Sequence, residues 1–252
     1  MMADLHSGST NALFPNHPIK FINGINHHPT SIQKKMYKHW IQCAEYTAKM
    51  RQGKKMIVLV VGDAREGLHH DRSNIVTHDT REQDKIHIEL MEDFLKITRQ
   101  KGDRVIYLIG TECHTDNSEY EVADTLGAEV YETAKISISG ANIWAVHKFG
   151  GVGQGLNEGD SYRNKLKQLY FDCIRTKTTP PDAVISAHFH KDLCASFDFD
   201  YHLIRGRVLP SWQFKTRYAL GVAPFDRNDI GMGFMNITED GQIKMMRPLL
   251  MK

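Results

Sequence analysis

Three apolar runs constrain this chain more than anything else in it. MIVLVV at 56–61, RVIYLI at 104–109 and AVIS at 183–186 are short and rich in β-branched residues. Each runs into a polar cluster: GDARE at 62–66, GTECH at 110–114 and AHFH at 187–190. Runs of this length between turn signals read as buried strands. The stretches separating them carry apolar residues at helical spacing. Strands that alternate with helices imply a parallel sheet with crossover connections. In open sheets of that kind, ligand sites lie beyond the C-terminal ends of the strands. The residues just past each run are therefore where chemistry is to be sought.

The spacing predicts a helix over 31–52, with apolar groups at 32, 36, 40, 41 and 44. It predicts a strand over 54–63, a helix over 80–102 with Thr80 as N-cap, and a strand over 103–114. A short helix follows at 117–126, then two strands in 128–148 around Gly140-Ala141-Asn142. GVGQGLNEG at 151–159 is a glycine-rich loop, 161–177 a helix and 181–190 the next strand. The tail is mostly β, with a hairpin turning at Glu239-Asp240-Gly241. No repeat or linker divides the chain, so residues 1–252 read as one domain.

Composition excludes more than it identifies. With 32 basic and 30 acidic residues, no global field demands nucleic acid or a membrane surface. The longest aliphatic run is far too short to span a bilayer, and no signal peptide is visible. The four cysteines are far apart, which favours a reducing compartment; a cytoplasmic location is expected. Histidine is plentiful at 14, with several at segment ends.

Those ends carry metal-type residues. They are Asp4 and His6 in ADLH, Asp63 and Glu66 in GDARE, Thr111, Glu112 and His114 in GTECH, His147 in AVH, and His188 and His190 in AHFH. In a strand, residues i and i+2 face one side, so His188 and His190 point the same way if the run continues to them. Any one of these motifs is common by chance. The signal is the ordered set, each member at a strand end.

That set resembles the calcineurin-like metallophosphoesterase superfamily, whose pattern runs Asp-x-His, Gly-Asp-x-x-Asp/Glu, Gly-Asn-His-Asp/Glu, a lone His and Gly-His-x-His. The likeness spans residues 3–190. DLHSGSTNALFP, GTECHTDNSEYEVADTLGAE and PDAVISAHFH further resemble a phage and prophage branch, which would place the protein in a host cytoplasm. The resemblance implies a four-layer α/β sandwich of two mixed β sheets flanked by helices. It implies two divalent cations: Asp4, His6 and His190 on the first, His147 and His188 on the second, and Asp63 between them. Such a pair clamps a phosphate and activates a bridging water as hydroxide, and a mixed imidazole and carboxylate shell suits manganese, iron or zinc. His114 would be the general acid. Glu66 would orient a histidine; His69 and His70, just beyond the strand end, would touch the substrate phosphate or lie in a solvated loop.

Two departures stand out. Thr111 occupies the place of the expected Asn ligand; Glu112 or a water is an alternative donor, and so is a purely turn-forming role. Only Met1, Met2 and Ala3 precede Asp4, so the first strand is very short or the chain begins downstream of its natural start, and Asp4 is at risk of fraying. The expected activity is hydrolysis of a phosphate mono- or diester. Basic residues Lys34, Lys35, Lys38, Lys49, Arg51, Lys54 and Lys55 motivate a DNA- or RNA-processing nuclease as the alternative. The departures motivate another, a catalytically impaired metal- or partner-binding protein.

Overall fold

A computed structural model describes residues 1–68, 74–115, 118–222 and 226–251. The small β1 (Ile19–Lys20) and β2 (Asn26–His27) precede α1 (Ser31–Arg51), which Thr30 and Gln33 open with a reciprocal capping box. Then come β3 (Ile57–Val61), α2 (Thr80–Thr98), β4 (Arg104–Leu108), the single turn α3 (Glu112–Thr115), α4 (Ser118–Leu126) and β5 (Glu129–Tyr131). The N-cap of α2 is Asp79 rather than Thr80, because the Asp79 carboxylate accepts from the amide of Arg81.

The segment expected to hold two strands holds three. After β5 the chain leaves its sheet, and β6 (Thr133–Ile138) pairs with β7 (Ala141–Val146) across a two-residue turn. Ser139 and Gly140 both have positive φ there, as a hairpin turn of that length requires. The remainder is α5 (Asp160–Arg175), β8 (Ala183–Ser186), β9 (Leu193–Phe199), β10 (His202–Val208), α6 (Arg217–Val222), β11 (Gly231–Ile237) and β12 (Ile243–Leu250). The molecule is a mixed α/β structure. A five-stranded mixed sheet has the order β6-β7-β8-β10-β9. The other large sheet, β3-β4-β5, is parallel in all three strands. The antiparallel pair β11–β12 joins it through the N-terminal residues: Met1 N donates to Gly233 O, the Gly233 amide donates to Met1 O, and Met2 bridges Val60.

The period-2 alternation of the strands divides the core. Val58, Val60, Val105 and Tyr107 face one way, against Met36, Trp40 and Cys43 of α1 and Ile86, Leu90 and Phe94 of α2. Leu59, Val61, Ile106 and Leu108 face the other way, against Ile136, Ile143, Ala145, Ala183 and Ile185 of the five-stranded sheet. That sheet turns Val184, Ile204 and Val208 to Tyr162, Leu166 and Tyr170 of α5. Each fully buried Leu or Ile contributes about 1.5–3 kcal/mol. At the N-terminal end of β3, Arg51 forks onto both oxygens of Asp103 at 2.6 and 3.0 Å, locking the end of α1 to the loop before β4. Trp40 and Trp212 are buried in the core. No helix among the described residues is long and apolar enough to cross a membrane. Cys43, Cys173 and Cys194 are free thiols.

Candidate metal centre

Strands β3, β4, β7 and β8 point their C-terminal ends to one pole, and the predicted residues meet there. The N-terminal segment runs alongside β3: Asp4 N donates to Gly62 O and His6 N to Asp63 O. Asp4 does not fray; it is fully buried, and its Oδ2 accepts the amide of His188 at 3.1 Å. Asp63 follows β3, Thr111 follows β4, His147 follows β7, and His188 and His190 follow β8. Two glycines permit this convergence. A Cβ on Gly62 would collide with the His147 ring, and one on Gly110 with the amide and carboxylate of Asp63.

Two groups of donors lie on either side of Asp63. Asp4, His6 and His190 form one, and Asp63, His147 and His188 the other, each offering ligand atoms within 4.8 Å of one another. His6 Nε2 is 3.3 Å from His190 Nε2, and His147 Nε2 is 3.3 Å from His188 Nδ1. His147 Nε2 is 3.2 Å and His6 Nε2 3.9 Å from Asp63 Oδ2. Asp4 Oδ1 is buried and accepts no hydrogen bond.

Several rings are oriented from behind. A carbonyl can only accept, so His147 Nδ1 donates to Val61 O at 2.9 Å and His114 Nδ1 to Glu66 O at 2.7 Å. In the neutral ring this leaves the Nε2 lone pair of His147 facing the cluster, the arrangement found when histidine ligates a metal. Glu66 Oε2 stands 3.0 Å from His6 Nδ1. Gln213, which the sequence reading passed over, fixes that carboxylate by donating to Oε2 at 2.7 Å. It comes from the β-rich tail, and nothing in its sequence neighbourhood marks it.

His114 packs edge-on against His6 at 4.5 Å between ring centres. Thr111, not Glu112, reaches the cluster; Glu112 is exposed at the start of α3. His69 and His70 lie outside the described residues. Of the basic residues in 34–55, Arg51 is buried in its ion pair with Asp103, while the lysines are exposed.

The electrostatics are those of a crowded site. Burial opposes ionisation of Asp63, but the imidazoles of His147, His6 and His114 outweigh it and hold its carboxyl well below the usual range. Burial lifts Asp4 to about 7. Burial would discharge His147, yet Asp63 and Asp4 override it and raise the ring to about 9. Burial and the neighbouring His147 push His188 down to about 4. Burial and His6 hold His190 well below its ordinary value. Backbone strain concentrates in the same place: Asp4, His6, Asp63, His188 and His190 all have φ between 45° and 76°. That region is sparsely populated by residues other than glycine, and such outliers gather where a site over-determines the backbone. Two carboxylates and four imidazoles in this arrangement fit one or more divalent cations.

No family model and no curated protein matches the chain. Among solved structures it is similar to a Thermotoga maritima protein determined by NMR, at 13% identity over 75% of this chain and 79% of that one, with a TM-score of 0.33. It is also similar to an archaeal phosphodiesterase, at 11% identity over 77% and 99% of the two chains, with a TM-score of 0.35. A third is a sulfate thiohydrolase of Thermus thermophilus, at 8% identity over 99% and 56%, with a TM-score of 0.40.

Proposed function

We propose that this chain is a metal-dependent hydrolase of phosphate esters, built as a calcineurin-like four-layer α/β sandwich around a pair of divalent cations. One observation carries the reading: two imidazole–imidazole contacts of 3.3 Å flank a single carboxylate, Asp63, and the nearby Asp4 Oδ1 has no hydrogen-bond partner. Each contact is an N–H···N hydrogen bond in one tautomer, and a cation between the rings would take the place of that proton. Asp4, His6 and His190 would hold the first cation, His147 and His188 the second, and Asp63 would serve both. When bound, such a pair neutralises the phosphate and makes water a competent nucleophile at neutral pH. The N and O donors suit manganese, iron or zinc.

The chain's own residues do the rest. Glu66, held by Gln213, keeps the Nε2 of His6 turned inward. His114, anchored through Nδ1 to Glu66 O, stands beside His6 as the group that protonates the leaving oxygen. The burial of Asp4 and the inward hydroxyl of Thr111 favour a working site over an impaired one.

Hydrolysis of an aryl phosphate monoester, an aryl diester and a single-stranded oligonucleotide, measured side by side with added Mn²⁺, tests the reading. Metal-stimulated turnover of at least one is expected, with Asp63→Asn at least a hundredfold slower. Turnover of the oligonucleotide alone selects the nuclease alternative. Activity that survives Asp63→Asn refutes the metal reading.

A further inference from the structure

The hydroxyl of Thr111 touches three members of the cluster at once. Its Oγ1 is 3.1 Å from His147 Nε2, 3.3 Å from His188 Nδ1 and 3.3 Å from Asp63 Oδ2. A hydroxyl has one proton and can satisfy only one of those acceptors. Which ring nitrogen donates to it depends on the tautomer, and a cation among these four atoms would take a lone pair from each.

The distances supply the geometry. With His147 Nε2 to Asp63 Oδ2 at 3.2 Å and to His188 Nδ1 at 3.3 Å, five edges joining the four donor atoms lie between 3.1 and 3.3 Å. The sixth edge, Asp63 to His188, is longer, though within 4.8 Å, so the four atoms form an open set with room for one divalent ion at its middle. The donors on the other side of Asp63 are spread more widely: His6 Nε2 to Asp63 Oδ2 is 3.9 Å.

We infer that Thr111 is a metal ligand. Its hydroxyl joins Asp63, His147 and His188 as the fourth protein donor to one divalent ion. This rests on the dinuclear reading above and specifies its second position. The backbone reinforces the assignment. The Thr111 amide donates to Asp63 Oδ1 at 2.6 Å, so the residue that supplies the hydroxyl also aims the opposite carboxylate oxygen.

The test loads the metal-stripped protein with Co²⁺ and measures bound equivalents by elemental analysis alongside the visible spectrum, in which four-coordinate cobalt absorbs far more strongly than six-coordinate. The variants are Thr111→Val, which keeps the shape and removes the hydroxyl, and Thr111→Ser, which keeps the hydroxyl. Wild type and Thr111→Ser are expected to hold two equivalents and show the intense bands. Thr111→Val is expected to lose the bands and bind the second equivalent more than roughly tenfold more weakly. Two equivalents and an unchanged spectrum in Thr111→Val would overturn the inference alone. A wild type that binds no cobalt would overturn it together with the dinuclear reading.

Discussion

His87 on α2 offers a test of the fold that is independent of any metal. The ring is fully buried, with Nδ1 3.0 Å from Ala64 O and Nε2 2.9 Å from the Tyr107 hydroxyl. The carbonyl forces the proton onto Nδ1, so Nε2 accepts from Tyr107 and the neutral ring is satisfied on both sides. A second proton would displace the Tyr107 bond and place a charge in the core. Burial accordingly lowers the His87 pKa from 6.5 to about 4. The unfolded chain takes up this proton as pH falls through 6.5, and the folded chain does not until about 4. The contribution to stability is therefore complete above pH 6.5, is lost progressively down to about pH 4, and is constant below that. A gap of about 2.5 in pKa, at 1.36 kcal/mol for each, amounts to about 3 kcal/mol. Urea unfolding of the chelated protein, wild type against His87→Gln, at steps from pH 7.5 to 4, isolates this residue because every other titration is common to both. Wild type is expected to lose about 3 kcal/mol more than the variant over that range. Parallel curves would refute the reasoning.

Two further outcomes follow from packing. Arg51→Ala leaves Asp103 buried without its fork and is expected to cost about 3–5 kcal/mol, lowering Tm by roughly 10 °C in thermal unfolding. Gly110→Ala drives a methyl into the backbone and carboxylate of Asp63, so a loss of about 3 kcal/mol is expected. Cobalt content measured on the same sample should fall with it, whereas Arg51→Ala, at the opposite end of β3, should leave cobalt content unchanged.

Much of the site was legible because its residues follow directly from strands, and strand ends are where apolar runs stop. Gly62-Asp63 after MIVLVV and His188 after AVIS could be placed without coordinates. The His-x-His argument assumed a strand that continues to both residues, and the two rings join different donor groups. β8 ends at Ser186, and both histidines have left-handed φ, so turn geometry rather than strand alternation directs them. Thr111 stood out in the sequence at the place of the expected Asn, but the choice between it and Glu112 was not legible, since that depends on where a hydroxyl falls relative to three other chain segments. Gln213 was not either, because its partner lies 147 positions away. The division of 128–148 was misread because the β5-to-β6 switch of sheets occurs within an unbroken β-prone stretch, with no turn residue to announce it.

The left-handed backbone at Asp4, His6, Asp63, His188 and His190 sets these five positions against the rest of the molecule. Aspartate and histidine tolerate that conformation better than most side chains, yet each still forgoes about 1 kcal/mol that glycine would recover. A designer who kept this backbone and optimised for thermal robustness alone would put glycine there first. The most robust descendant of the sequence would keep its architecture and, of the donors at its pole, only His147 and Thr111.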